Sequence, residues 1–295
     1  MFSLSRLLDF KTQERYYTKI VERYMKFCSD AGERDELLRR FASLELQDGN
    51  LNGITPPSSR SSVSAPIPSQ SFGAAGGGGG SSSSVSGSRP STPAEPDAKT
   101  LSDVMMALRK LREGIVASKR VDIFAIQVYL FCIRLSVLVK HPESYHPAIL
   151  HLLKKIHPFQ SLTSVELQEV VSYLVLDAAC RRGDLAEAYA LRSKHQLRDA
   201  KVDDILQALT HDNWVAFRRA RDRVDRHKVK LMEFAEGEMR MHTLKCFGRT
   251  YLSVEREFLE RSAGMDFESL RTGDGVGWLL EGEGKTVVIR KVKGK

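Results

Sequence analysis

The sequence has 295 residues, of which 28% are charged, and its 45 Lys and Arg against 37 Asp and Glu give a formal net charge of +8. This length accommodates about two domains, and the modest positive excess permits contact with nucleic acid or acidic proteins without requiring it. The four cysteines lie far apart and form no CxxC pair, which disfavours a disulfide framework and a zinc site and is typical of a reducing compartment. We therefore expect a cytoplasmic or nuclear protein.

Residues 1–45 are predicted to form a helical hairpin. From Thr12 to Ser29 the apolar and aromatic side chains recur at three- and four-residue spacing, which indicates a helix with one apolar stripe. Ala31-Gly32 interrupts the pattern, and a second short helix is predicted over Arg34–Leu44. A hairpin of this size is too small to stand alone, so its stripe is expected to dock on the rest of the chain or on a neighbour.

Residues 46–98 have a different composition and are predicted to be a disordered linker. Seven of the ten prolines lie here, together with the runs Gly76–Gly80 and Ser81–Ser84. Such a segment cannot bury enough apolar surface to offset the loss of chain entropy on folding.

Residues 99–225 are predicted to form an irregular stack of helices. Thr100 is the expected N-cap of the first helix, and Gly183-Asp184 is expected to end one helix and cap the next. The small residues around this turn, Ala178–Ala188, resemble a tetratricopeptide-like (TPR-like) helix pair, although no strict repeat period is visible. The predicted helices are Leu101–Ala117, Val121–Lys140, Tyr145–Ile156, Ser164–Cys180, Asp184–Lys194, Val202–Thr210 and Trp214–Val224.

The segment Val121–Val139 is apolar on nearly all sides and allows two interpretations. It is almost long enough to cross a membrane, but it contains Asp122, Gln127 and Arg134. Charges near the centre of a bilayer are costly, so a helix buried between two layers of the stack is favoured.

Residues 226–295 are predicted to form a winged helix with a basic tail. Its clearest signal is a pair of short segments rich in aromatic and β-branched residues, Gly277–Glu281 and Thr286–Arg290, joined by the glycine-containing loop Gly282–Lys285. The preceding elements are a long helix from about His227 to Phe247, a short strand Tyr251–Ser253, a helix Val254–Ala263 closed by Gly264, and a short helix Asp266–Arg271.

No arrangement of residues indicates catalysis or a bound cofactor or metal. His141, His146 and His151 are spaced at five residues, which does not place them on one helical face, and no HExxH motif is present. The glycines of Gly273–Gly277 lead into a strand rather than from a strand into a helix, so they do not match a dinucleotide-binding loop. We therefore expect a protein that is not an enzyme.

Basic residues are the remaining feature, and they also allow two interpretations. They are either a solvated helix face with a charged tail, or a surface that contacts RNA, DNA or an acidic protein. The segment before the wing, Met265–Arg271, has two acidic residues and one cation, which disfavours sequence-specific reading of a duplex but not backbone contact. The candidate contact residues are Arg218, Arg219, Arg221, Arg223, Arg226, Lys228, Lys230, Arg271, Arg290, Lys291 and Lys293.

The predicted wing also provides a candidate protein interface. Trp278 and Leu280 alternate with Leu279, so apolar side chains fall on both faces of a very small sheet, and Val288 lies on the facing strand. Trp278, Leu280 and Val288 are therefore candidate interface residues. The alternative is that they close the small core of the wing.

The order and spacing of these elements over Leu101–Val292 resemble the PCI family. The residues that carry the resemblance are the short helix Val202–Leu209, the turn and helix start His211–Phe217, the long helix up to Phe247, the segment Val254–Leu259 and the wing. The resemblance is greatest to the group that unites signalosome subunit 8, the smallest PCI subunit of the proteasome lid and initiation factor 3 subunit k, and to the related GANP-type mRNA-export scaffolds. The N-terminal hairpin and the linker are not part of the common PCI module.

The resemblance implies a mainly α fold and a non-catalytic scaffold subunit. Its partners would be other PCI-type subunits of a complex of the proteasome-lid, signalosome or initiation factor 3 type, with no membrane and no small-molecule substrate. The alternative is a nucleic-acid-associated adaptor of the mRNA-export type that uses the basic helix beside the winged helix.

Overall fold

The structure is a computed structural model that describes residues 7–30 and 95–291. Within these residues the chain is mainly helical with one small sheet, as predicted. The predicted helix Arg34–Leu44, residues 46–94 of the predicted linker and Lys293 lie outside the described residues.

The first two helices that the structure describes pack against each other although residues 31–94 separate them in sequence. Helix α1 (Phe10–Asp30) lies along α2 (Glu95–Ala117), and its stripe residues Ile20 and Phe27 are buried. The N-terminal stripe therefore docks on the same chain in this structure.

The start of α2 differs from the prediction. The helix begins at Glu95, so residues 95–98 are helical rather than linker, and Thr100 lies inside the helix instead of capping it. Pro96 is in the first turn, where a missing backbone N–H is tolerated because that group has no partner within the helix.

Arg120, in the turn after α2, holds the N-terminal half of α1. Its guanidinium donates hydrogen bonds to the carbonyl oxygen of Phe10 (3.2 Å) and to Oε1 of Gln13 (3.3 Å), and it forms an ion pair with Glu14 at 2.6 Å. The Arg120 Cζ atom also lies 4.4 Å from the centre of the Phe10 ring and 4.1 Å from that of Phe124. Because Arg120 is only 5% exposed, these interactions are largely shielded from water.

Helix α3 (Ile123–Leu138) is buried on most sides, as predicted for an internal helix. Asp122 caps its N-terminus by accepting a hydrogen bond from the N–H of Ala125. Tyr17 and Tyr24 of α1 make edge-on contacts with the ring of Phe131, at centroid distances of 5.9 and 5.3 Å. Across the described residues, we find no helix with both the length and the apolarity that a membrane span requires.

The next two helices each continue into a π-helical turn, which the sequence analysis did not predict. Helix α4 (Pro142–His151) continues as Leu152–Ile156, and α5 (Ser164–Leu176) continues as Asp177–Arg181. A π-helical turn keeps apolar residues on the buried side, so hydrophobic spacing alone does not distinguish it from α-helix.

The second π-helical turn contains the buried carboxylate of Asp177. It accepts hydrogen bonds from the hydroxyl of Tyr145 (2.6 Å) and from Nε and Nη2 of Arg181 (2.6 and 2.9 Å). Burial alone would raise the pKa of Asp177, but the bonds from Arg181 and Tyr145 outweigh burial and lower the pKa below its usual value. The charged group is therefore stabilised in the interior.

The remaining helices of the stack begin at side-chain caps, which explains why the sequence located them well. Asp184, Asp199, Asn213 and Asp225 each accept a hydrogen bond from a backbone N–H in the first turn of the helix that follows. These helices are α6 (Leu185–Lys194), α7 (Ala200–Thr210), α8 (Trp214–Arg221) and α9 (Arg226–Thr250).

After α9 the chain forms a compact C-terminal unit. Its elements are β1 (Ser253–Glu255), α10 (Arg256–Ala263), α11 (Phe267–Gly273), β2 (Leu279–Glu281) and β3 (Thr286–Val288). The strand order is β1-β3-β2 with both pairs antiparallel, and Val287 lies opposite Val254 and Leu280.

The first strand differs from the prediction in position. It covers Ser253–Glu255 rather than Tyr251–Ser253, so Tyr251 and Leu252 precede the sheet. The core of the unit contains Leu244 of α9 together with residues of α10, α11 and the sheet. Helix α9 therefore contributes to both hydrophobic cores, since Leu231 and Met232 near its start belong to the core of the helical stack.

Replacing Arg120 with Met is expected to weaken the docking of α1. The variant loses charge-assisted hydrogen bonds to α1, whereas the half-exposed Glu14 and Asp122 remain hydrated, so we expect a loss of about 2 kcal/mol in unfolding free energy. Urea unfolding measures the loss, and amide hydrogen exchange should show faster exchange in α1.

Arg109→Met is the matched control. Arg109 pairs with Glu113 on the surface of the same helix and its side chain is 75% exposed, so its replacement should change stability by less than about 0.5 kcal/mol. Equal effects of the two substitutions would contradict the role of Arg120.

Candidate interaction surfaces

Two side chains of α8 hold the C-terminal unit on the helical stack. The indole Nε1 of Trp214 donates a hydrogen bond to the carbonyl oxygen of Ser262 at 2.8 Å, and Nη1 of Arg218 donates one to the carbonyl oxygen of Arg261 at 2.8 Å. Both acceptors are in the last turn of α10, where backbone carbonyls have no partner within the helix. A positive charge at this end is also favourable for the helix dipole.

Gly264 ends α10 and makes room for the Arg218 guanidinium. Its φ of +74° is in the left-handed region that glycine adopts at low cost. A Cβ at this position would lie 2.7 Å from Cζ of Arg218. Glycine is thus favoured here both by the backbone conformation and by the close approach of Arg218.

A second contact joins α9 to the segment after α11. Arg240 forms an ion pair with Asp274 at 2.8 Å, and both side chains are mostly buried. Such a pair is costly to break on one side, because the remaining charge loses its partner without regaining full hydration.

The structure places the three candidate interface residues on different faces of the sheet. Leu280 lies on the inner face beside Val287, and Trp278 packs against the core of the unit beside Gly248 of α9. Val288 is half-buried on the outer face, where its opposite neighbour is Leu279. Leu279 is 53% exposed, although the sequence analysis did not single it out as a contact residue.

The C-terminal unit also exposes apolar side chains where α9 meets β1. Tyr251, Leu252 and Phe258 are all exposed. The ring of Phe247 lies beneath, with its centroid 5.3 Å from that of Tyr251 and 5.9 Å from that of Phe258. The three rings of Phe247, Tyr251 and Phe258 therefore form one cluster, which sequence spacing did not reveal because Tyr251 and Phe258 lie in different segments.

The outer strands of the sheet are β1 and β2. The central strand β3 pairs on both sides, whereas β1 and β2 each pair with one neighbour among the described residues. An open strand edge presents unpaired backbone donors and acceptors that can pair with another chain.

Most of the predicted nucleic-acid contact residues have a partner within the chain. Arg221 pairs with Glu236 of α9, and Arg223 pairs with Asp204 of α7. Both acceptors lie on other helices, so the sequence analysis did not identify these partners. The other ion pairs are Lys228 with Asp225 and Asp199, Lys230 with Glu233, Arg271 with Glu268, and Lys291 with Glu281.

Lys228 is held by two carboxylates, and its side chain is only 13% exposed. Burial alone would raise the pKa of Asp225, but hydrogen bonds from His227 and Lys228 outweigh it and hold the pKa well below its usual range. Burial would likewise lower the pKa of Lys228, but Asp225 and Asp199 outweigh burial and raise it. Both groups therefore stay charged and bound to each other at neutral pH.

Four of the candidate cations form no ion pair with another residue of 7–30 or 95–291. Arg218 binds the end of α10 as described, and Arg290 donates a hydrogen bond to the carbonyl oxygen of Arg249 at 2.8 Å. Arg219 and Arg226 are exposed, and their side chains make no ion pair or hydrogen bond with a described residue. Arg219 and Arg226 therefore remain available from the predicted cluster, and Lys293 lies outside the described residues.

The three regularly spaced histidines have unrelated partners. Nδ1 of His141 lies 3.5 Å from Oε2 of Glu143, and Nδ1 of His146 lies 3.3 Å from Oδ2 of Asp177. The ring of His151 stacks on that of Tyr129. In residues 7–30 and 95–291, no group of three or more His, Cys, Asp or Glu side chains is placed to hold a metal ion.

Comparison with known proteins gives no assignment. No protein-family model matches the sequence, and a search of the curated proteins finds no significant match.

Replacing Gly264 with Ala is expected to destabilise the protein more than the same replacement at Gly183, because it also disturbs the contact between α8 and α10. Gly183 has a similar φ of +66° but no atom within 4 Å of an added Cβ, so Gly183→Ala measures the backbone cost alone, about 1 kcal/mol. Gly264→Ala displaces the Arg218 guanidinium from the end of α10 and should cost about 1 kcal/mol more in urea unfolding.

The excess should disappear in an Arg218→Ala background, where no guanidinium is displaced. An excess of the same size in both backgrounds would show that Arg218 does not hold α10.

Proposed function

We propose that this chain is a non-catalytic scaffold subunit of the PCI type. In this proposal the C-terminal unit is a winged helix whose wing is the β2–β3 ribbon, and residues 99–225 form a TPR-like helical arm. The winged helix mediates assembly with other subunits of a multi-protein complex, of the proteasome-lid, signalosome or initiation factor 3 kind.

The connection between the arm and the C-terminal unit supports this proposal. A scaffold must hold its interaction surface in a fixed orientation, which requires more than a flexible linker. Here α9 contributes to both hydrophobic cores, and Trp214, Arg218 and Arg240 add polar contacts to the C-terminal unit.

The observation that carries the proposal is the outer surface of the three-stranded sheet. It combines two open strand edges with exposed Leu279, and Tyr251 and Leu252 precede β1 on the same unit. A protein partner can add backbone hydrogen bonds at a strand edge and bury these apolar side chains at the same time.

The nucleic-acid alternative receives less support from the same geometry. Lys and Arg side chains strengthen binding to nucleic acid by neutralising phosphates and releasing the counterions condensed there, so a side chain already held by a group of its own chain contributes less. In the predicted basic cluster, Arg218 and Arg221 bind groups of the chain itself, and Lys228 is held by two carboxylates. Among the candidates that the structure describes, Arg219 and Arg226 are left, and two arginines make a small footprint for a nucleic acid.

Replacing Leu279 with Lys is expected to release the protein partners. The tagged full-length chain would be recovered from cells in high salt after nuclease treatment, and the co-purifying proteins would be quantified by mass spectrometry. Burial of a leucine side chain is worth about 1.5–3 kcal/mol, so recovery of stoichiometric partners should fall at least about tenfold.

Val215→Lys is the matched control, since Val215 on α8 is also 53% exposed and lies on the helical arm. It should leave partner recovery unchanged, and circular dichroism should show that both variants stay folded. If Leu279→Lys recovers as much of the partner proteins as the unaltered chain does, the proposed binding of partners at the sheet is contradicted.

The same preparations test the alternative. If the chain is a nucleic-acid adaptor, the purified protein should bind a short RNA or DNA with steep salt dependence, and Arg219→Gln with Arg226→Gln should weaken that binding. Binding of this kind without stoichiometric protein partners would replace the scaffold proposal.

A further inference from the structure

The hydrogen bonds of β3 show which backbone groups of β2 face away from the sheet. The N–H of Ile289 donates to the carbonyl oxygen of Leu252 at 2.8 Å, so Ile289 directs its backbone groups towards β1. These directions alternate along a strand, and Val288, the residue before Ile289, therefore faces β2, where it lies opposite Leu279. Leu279 thus uses its backbone groups within the sheet, and the N–H and C=O of Leu280 face the outer edge of β2.

The residue before β2, Trp278, adds a second pair of outward backbone groups. By the same alternation its N–H and C=O also face the outer edge, and neither makes a backbone hydrogen bond with a residue of 7–30 or 95–291. The edge of β2 therefore presents the donors and acceptors of Trp278 and Leu280 in one line, as a further strand requires.

Apolar side chains flank this edge on both faces of the sheet. Leu279 projects from the outer face and is 53% exposed. Trp278 and Leu280 lie on the inner face, but both are only half-buried, whereas Val287 of the central strand is fully buried. The helices beneath the sheet therefore leave the β2 edge partly uncovered, and an added strand buries apolar area on both faces.

The pattern of this edge is complementary to itself. When the β2 strands of two copies run antiparallel with the two Leu279 residues opposite each other, Trp278 of each copy lies opposite Leu280 of the other. The Leu279 side chains then meet on the outer face as a non-hydrogen-bonded pair, in which side chains approach most closely. Each Trp278–Leu280 pair exchanges both of its N–H···O bonds, and the two side chains adjoin on the inner face.

The same register brings no like charges together. Glu281 is the one charged side chain of β2, and in this register it lies opposite Gly277 of the other copy, which has no side chain. Glu281 also keeps its ion pair with Lys291 at 3.4 Å. A register moved by one residue, with Leu280 opposite itself, would place Leu279 against Glu281 and bury less apolar area.

Strand β1, at the other edge, lacks this pattern. Its outward side chains are Ser253 and Glu255, and the chain passes directly from β1 into α10 at Arg256. Pairing of two β1 strands would therefore bury no apolar side chain on the outer face. Of the two outer strands, β2 is the one that fits a second copy.

We propose that two copies of this chain pair through their β2 strands when the partner subunits are absent. The three strands of each copy then form one continuous sheet about a two-fold axis, so both copies use the same residues. Two short strands bury a small area, and we therefore expect the dimer in concentrated solution and the monomer on dilution. The self-pairing rests on the proposed function, because the second copy occupies the edge that a partner subunit takes in the complex.

Cysteine cross-linking of the full-length chain tests the register. Cys246 is exposed, so every variant also carries Cys246→Ser. In the proposed dimer the two Cα atoms of residue 279 lie about 4.5 Å apart, within the range of roughly 4.4–6.8 Å that a disulfide spans. We expect Leu279→Cys to form a disulfide-linked dimer under mild oxidation, and non-reducing electrophoresis measures its fraction.

Glu281→Cys and Val215→Cys are the matched controls. Glu281 is exposed on the same strand, but its two copies lie about 14 Å apart in this register, because each faces a residue four positions from the other. Val215 is as exposed as Leu279, at 53%, and lies on α8. Both controls should give no more dimer than the Cys246→Ser chain alone, and circular dichroism should show that all variants are folded.

Sedimentation of the unaltered chain gives an independent measurement. The mean mass should rise from that of the monomer towards that of the dimer as the protein concentration is raised. Leu279→Lys should abolish the rise, because two lysines would then face each other at the centre of the pairing. Val215→Lys should leave it unchanged.

Two results would overturn the self-pairing: a monomeric mass at every concentration, or cross-linking of Glu281→Cys that equals or exceeds that of Leu279→Cys. The recovery of partner proteins from cells judges the proposed function separately. Loss of partners in Leu279→Lys from a chain that stays monomeric would support the proposed function and refute the self-pairing. A cross-linked dimer of a chain that recovers no partners would do the reverse.

Discussion

The carbonyl groups at the end of α10 need hydrogen-bond donors, and α8 provides them. Trp214 and Arg218 reach two consecutive carbonyls just before Gly264, which turns the chain away and leaves space for the guanidinium. This contact fixes α10 against α8, and α10 in turn packs against the sheet and α11. The position of the sheet relative to the helical stack therefore depends on a small number of polar contacts in addition to the shared helix α9.

The helices could be predicted from the sequence because their signals are local. Asp184, Asn213 and Asp225 cap the helices that follow them, and Gly264 ends α10 in a left-handed conformation. The π-helical turns were missed because they preserve apolar spacing, and the start of α2 was misplaced because a proline in the first turn was assigned to the linker. The docking of α1 was predicted from its stripe, but Arg120, which holds it, was not.

The candidate surfaces were less predictable because they depend on residues far apart in sequence. Arg218, Arg221 and Lys228 resemble a free basic cluster in the sequence, yet their acceptors include groups of α10, α9 and the turn before α7, respectively. In each case the tertiary fold decides whether a cation is available, and helical spacing contains no information about that.

The proposed function requires that an open edge of the sheet, at β2, binds another protein chain. Hydrogen exchange with mass spectrometry, comparing the chain alone with the chain in its purified complex, tests this claim most directly. We expect the backbone amides of Leu279–Glu281 to exchange more slowly in the complex, because an added strand supplies hydrogen-bond partners at the open edge of β2. Unchanged exchange at both edge strands, with protection at Arg219–Lys230 instead, would contradict it.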